Sequence, residues 1–206
     1  SDDSTRFTLS TNKTQTIYYI TVSNSQVSST GGTFNIIARE SSFGLNTDKD
    51  ETVPQWKFIT VLDISGVAYS DQGATTLKGY DIGLIIDGVY QNNDVATDAE
   101  TGAYTFSDID VEYGANIIVF IHGGDTKGNT VDKVGIGVLN DLDIYGDTVI
   151  VRHDIRSSLS NADMKRALGS YSSADILFAV NDSNVLDVNS SLRIWTGTTF
   201  APGADV

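Results

Sequence analysis

The chain has 206 residues, 40% of them hydrophobic, with Lys+Arg 13 against Asp+Glu 27 and a net charge of -14. That length and apolar content bury a core and exclude a disordered chain, while the acidity disfavours nucleic acid and anionic membrane surfaces as partners. Cysteine is absent, which excludes disulfides, thiol catalysis and thiolate metal sites, and no apolar run approaches the ~20 residues of a membrane span.

In chain order, the first element is "STRFTLSTN", strand-like, with Phe7 and Leu9 two apart. "TIYYITVS" puts Tyr18, Ile20 and Val22 on one face of a second strand. "NTDKDE" then alternates oxygen-bearing side chains in a loop before Trp56. "YDIGLIIDG" alternates again, with Tyr80, Ile82, Leu84 and Ile86 on one side. "TDAETGAYTFSDI" reads as a hairpin: "DAETG" supplies polar turn residues and a Gly free to take positive φ, and "AYTF" opens the next strand. "GANIIVFIHG" is apolar on both faces, as a strand buried from both sides would be. "DTVIVRHD", "ADILFAVND" and "SLRIWTG" are further strands. One segment departs from period two: "SLSNADMKRALGSY" has Ser160 or Asn161 as N-cap, Met164, Ala167 and Leu168 at helical spacing and Gly169 as a stop. It predicts one short helix over 161–168. The fold class is therefore all-β.

Residues 65 to 123, from "SGVAYSDQG" through "TTLKGYDIGLIIDG" and "TDAETGAYTFSDI" to the closing strand, resemble the Cna-B-like or carboxypeptidase-regulatory-like domains. Those are transthyretin-like β-sandwiches that serve as spacers in bacterial surface proteins. Some members form a Lys–Asn isopeptide bond, but the first strand here, "VLDISGVAY", has no Lys, so that bond is not expected. Residues 14 to 58 resemble the closing rungs of β-helix-like modules of large surface proteins, and residues 141 to 206 resemble endings found in the same proteins. The resemblances imply an Ig/transthyretin-like β-sandwich over 61–124, an N-terminal β segment of rungs or a donor strand over 1–60, and a C-terminal β module with the helix over 125–206.

Candidate chemistry is sparse. His153 and Asp154 are neighbours in a strand and would point apart, and no Gly-x-Ser-x-Gly turn offers a nucleophile, so a hydrolase triad is not expected. Calcium is the better candidate ligand, at Asp48, Asp50 and Glu51 of "NTDKDE" and at Asp141, Asp143 and Asp147 of "DLDIYGD". "SDIDVE" would line up Asp108, Asp110 and Glu112 on one face, where like charges call for a cation or an opposing basic surface. Solvated acids are the simpler reading of each cluster. The two Trp, Trp56 and Trp195, suit a core or an interface better than a sugar platform. The sequons at Asn12, Asn181 and Asn189 are expected by chance in a chain rich in Asn, Ser and Thr. The start at Ser1, with no Met, is what a processed mature chain or an excised piece of one would show.

The expectation is a non-catalytic, extracellular structural protein, a subunit of a filament, sheath or surface layer. Its partners would be copies of itself, joined head to tail by β-strand addition. Phe7 and Leu9 at one end and Ile194, Trp195 and Phe200 at the other would form the assembly interface. The alternative is a stalk module of a large adhesin that binds cell-surface glycans or Ca2+.

Overall fold

The computed structural model describes residues 10–12, 15–19, 59–135, 139–154 and 158–203. Phe7, Leu9, Ile20, Val22, Asp48, Asp50, Glu51 and Trp56 lie outside them. The chain divides into two compact units, residues 1–53 and 54–206. In the first, β1 (Ser10–Asn12) and β2 (Gln15–Tyr19) pair antiparallel, with Ser10 opposite Tyr19.

The second unit is mostly sheet. Its strands are β3 (Ile59–Tyr69), β4 (Asp81–Ile86), β5 (Val89–Tyr90), β6 (Val95–Ala96), β7 (Ala103–Glu112), β8 (Asn116–His122) and β9 (Asn129–Lys133). After them come β10 (Ile144–Tyr145), β11 (Thr148–Val151), helix α1 (Asn161–Leu168), β12 (Phe178–Val180), β13 (Leu186–Val188) and β14 (Ser191–Ile194). A three-stranded sheet runs β10-β3-β7, and a seven-stranded sheet runs β14-β11-β9-β8-β4-β5, with β6 also on β4. The larger sheet is mixed: β8 is antiparallel to β4 and β9, whereas β11 is parallel to both β9 and β14.

Two cores flank the larger sheet. The first joins Ile82, Leu84, Ile117, Val119 and Ile121 of that sheet to Ile64, Tyr104, Phe106 and Ile144 of the smaller one. The second joins Ile85, Ile118, Phe120, Val131, Val149 and Val151 to Met164 and Ala167 of α1 and to Phe178 and Leu186 of the β12–β13 pair. This explains why β8 is apolar on both faces: every residue from Asn116 to Ile121 is buried, because each face meets a different layer. On the second face Gly83 stands opposite Phe120, whose ring occupies the space a Cβ at Gly83 would need, at 2.5 Å.

The helix has the predicted ends. Ser160 is its N-cap and forms a capping box with Asp163, and Gly169 closes it at φ 56 with its N–H on the Lys165 carbonyl. Its C-terminal end sits on the two-residue Asp87–Gly88 turn between β4 and β5, where both residues have positive φ. Gly88 donates its N–H to the Ala167 carbonyl at 3.0 Å, and a Cβ at Gly88 would lie 2.6 Å from the Gly169 Cα.

Two expectations need correction. The stretch 97–109 is not a hairpin, because β6 belongs to the larger sheet and β7 to the smaller. Residues 98–102 instead form a tight corner between the sheets, closed by Asp98 N–H on the Ala103 carbonyl (2.7 Å). The Asp98 carboxylate caps the N–H groups of Glu100 and Thr101. The boundary expected at 124/125 falls inside the second unit: β8 pairs with β9 from Asn116–Lys133 to Phe120–Asn129, and Val134, Leu139, Leu142 and Ile144 complete the first core.

Candidate functional site

The sheets end in strands with open sides, and these differ. β7 borders the smaller sheet. Opposite Asp63 it carries an extra residue, since Leu62 pairs with Ile109 and Ile64 with Phe106. The bulge puts Asp108 at φ 56 and gives its N–H to the Asp63 carboxylate at 3.1 Å. It also reverses the alternation, so Phe106 and Val111 both face the core. Asp108 and Asp110 are exposed and Glu112 is half-buried, while Ile109 and Val111 between them pack on the core. A bulge with exposed acids is a blunted edge.

β14 is different. Among the described residues it pairs with β11 alone, in parallel, from Ser191–Thr148 to Ile194–Val151. Ser191 and Trp195 give their N–H groups to Asp147 and Val151, so the backbone groups of Leu192 and Ile194 point away from β11. Ile194 is 40% exposed. Trp195 is half-buried and shares the Arg193 guanidinium with Tyr145, at 5.5 and 4.9 Å from the ring centroids. These contacts close the gap between the β14 end of the larger sheet and the β10 end of the smaller. Phe200 packs against the second core, and its neighbours pair with Leu159, through Leu159 N–H on Thr199 and Ala201 N–H on Leu159. The C-terminal segment is thus used within its own unit.

The acids of "DLDIYGD" do not form a group. Asp141 is exposed at φ 58 and Asp147 is exposed at φ 50. Asp143 is half-buried, and its carboxylate accepts the Val67 N–H at 3.0 Å. Burial first, and then the charge of Asp141, raise the Asp143 carboxyl above the usual carboxylate range, against the Val67 hydrogen bond and Arg152. Among the described residues no three His, Asp or Glu side chains converge. The cation here is Arg152, which donates to the carbonyls of Asn140 (3.1 Å) and Asp141 (2.7 Å) and holds Asp154 with two bonds of 2.8 and 2.9 Å. Its Nε lies 3.4 Å from the fully buried Asp132, whose two carboxyl oxygens have no well-formed hydrogen bond among the described residues. Burial, and next Asp154, push Asp132 well above the carboxylate range despite Arg152. His153 does not join Asp154; its Nε2 accepts the Thr199 N–H at 2.9 Å.

A second cluster was not visible in the sequence. Tyr90 Oη donates to Asp94 Oδ1 at 2.5 Å, His122 Nδ1 lies 2.5 Å from Asp94 Oδ2, and Tyr90 Oη and His122 Nδ1 are 3.2 Å apart. The Phe120 and Tyr171 rings back it, 6.1 and 5.1 Å from Tyr90. Only the pairing of β4 with β8, which sets His122 beside Asp81, and the fold-back of β5 bring these residues together.

No protein-family model matches the chain, and no curated protein or solved structure matches it either.

Proposed function

We propose that the chain is a non-catalytic structural subunit of an extracellular filament, sheath or surface layer that grows by β-strand addition, with β14 as the acceptor edge. The observation that carries this reading is the contrast between the edges. β7 is blunted by a bulge and exposed acids, while β14 has no bulge and no acid and presents Ile194 to solvent. A strand of about six residues added there would form several main-chain hydrogen bonds, each worth ~1 kcal/mol net. Its apolar residues would extend the second core past Leu192. The donor is the strand-like segment 1–13, in which Ser10–Asn12 would exchange β2 for β14 of the next copy, and a donor and acceptor at different places on one chain give a heterologous, propagating contact. In this reading the two-sheet packing is the transthyretin-like sandwich that residues 65 to 123 resemble, extended by the strands that follow.

The test is negative-stain electron microscopy of the purified chain, a copy lacking residues 1–13, and Ile194→Lys. Regular filaments that disappear in both altered chains support the reading, because a lysine at an exposed edge position blocks pairing without touching the core. Monomers under every condition would defeat it and favour the adhesin-stalk alternative, to be followed by glycan and Ca2+ binding.

A further inference from the structure

Three donors of different chemistry meet where β5, the turn after it and the end of β8 come together. Tyr90 Oη, the two oxygens of Asp94 and His122 Nδ1 lie within 2.5 to 3.2 Å of one another. We propose that Tyr90, Asp94 and His122 form a binding site for one first-row transition-metal ion.

The donor set selects the class. An imidazole nitrogen beside a carboxylate and a phenol suits zinc, copper or iron, whereas calcium and magnesium take oxygen alone. An ion bonded at ~2.0–2.2 Å sets its donors ~3 Å apart at right angles. The 3.2 Å Tyr90–His122 separation already meets that spacing, and the two 2.5 Å contacts need to open by about half an ångström. The group that must move is Asp94, in the exposed connection between β5 and β6, so no packed element is displaced.

The surroundings favour a cation. Asp81 stands beside His122 in the sheet, and Asp175, itself 3.9 Å from Lys127 Nζ, accepts the Gly123 N–H at 3.1 Å just beyond it. Other acids of this unit are met by basic side chains, as Asp154 by Arg152, Asp163 by Lys133 and Asp182 by Lys165, or by backbone N–H groups, as Asp71 and Asp98. Among the described residues Asp94 is met only by His122 and the Tyr90 hydroxyl. The His122 and Asp94 side chains are 34% and 24% exposed, which leaves an ion a way in, while Phe120 and Tyr171 shield the other side. Binding at Nδ1 moves the imidazole proton to Nε2 or to solvent, and coordination by phenolate releases the Tyr90 proton. Ligation displaces these protons, so binding tightens as pH rises.

The whole chain, titrated with Cu2+ and separately with Zn2+ near neutral pH, tests this. Cu2+ binds such sites most tightly of the first-row dications. The expected result is one Cu2+ per chain with a phenolate-to-copper charge-transfer band in the visible. His122→Gln and Asp94→Asn should each weaken binding by about tenfold or more. Tyr90→Phe should abolish the band while the ion still binds. The chain has two histidines and His153 is held by Thr199, so a signal unchanged in His122→Gln would come from other groups and would overturn the site. Absence of saturable binding would overturn it too. If His122→Gln fails to fold, Asp94→Asn and Tyr90→Phe, on other elements, decide the question. Filament formation is read separately, so the two proposals fail independently.

Discussion

Single residues fix the joints of this fold, and two of them make measurable claims. The Ser160 hydroxyl accepts the Asp163 N–H at 3.2 Å, while Asp163 returns the bond to the Ser160 N–H at 3.0 Å. Ser160→Ala should lower stability by ~1 kcal/mol, read as a shift of the urea midpoint at constant slope. Asp132 has a pH signature. Its native pKa lies above the unfolded value of ~3.9, so the folded state binds the extra proton. Its contribution is fully present below that value and is lost as pH rises through the native pKa, at up to ~1.4 kcal/mol per pH unit. Asp132→Asn should remove this fall, so the stability gap between variant and parent widens from pH 4 toward neutrality. A gap that does not change with pH would mean that Asp132 is ionised in the fold.

At the scale of elements, close packing replaces side-chain variety. Gly83 and Phe120 are cross-strand partners in which the ring fills the place of the missing side chain. Gly83→Ala should cost ~1–3 kcal/mol by overpacking. The cost should shrink in a Phe120→Leu background, so the double-mutant cycle should give a non-zero coupling energy. Period-two alternation sufficed to place β4, a continuous apolar run β8 and β11, and period-3.6 spacing α1, because each of these elements shows apolar residues to the layers that cover it. These patterns failed at 97–102 because a polar, Asp-capped turn looks the same whether its flanking strands pair or diverge into two sheets. They also did not show the bulge between Phe106 and Ile109, where one extra residue reverses the alternation and no local signal marks it.

The second unit behaves as one piece, since residues on both sides of 124 share a sheet and a core. A chain fragment covering 54–124 alone would leave β8 without β9 and the second core without α1. It should therefore lack the cooperative urea transition and slow amide exchange that the 54–206 fragment should show, with β8 most protected. A fragment 54–124 with a sharp transition of its own would restore the boundary that the resemblance implied.

The sequence by itself determined the all-β class, the helix with its caps and the strand apolar on both faces, since these depend on neighbours a few residues apart. The tertiary structure alone decided what depends on distant partners. It set which acids meet Arg152, which strands border each sheet, and that Tyr90, Asp94 and His122 converge. Those outcomes follow from strand order and register, because pairings such as Asp81 with His122 join residues 41 apart, and local periodicity carries no information on which strand lies beside which.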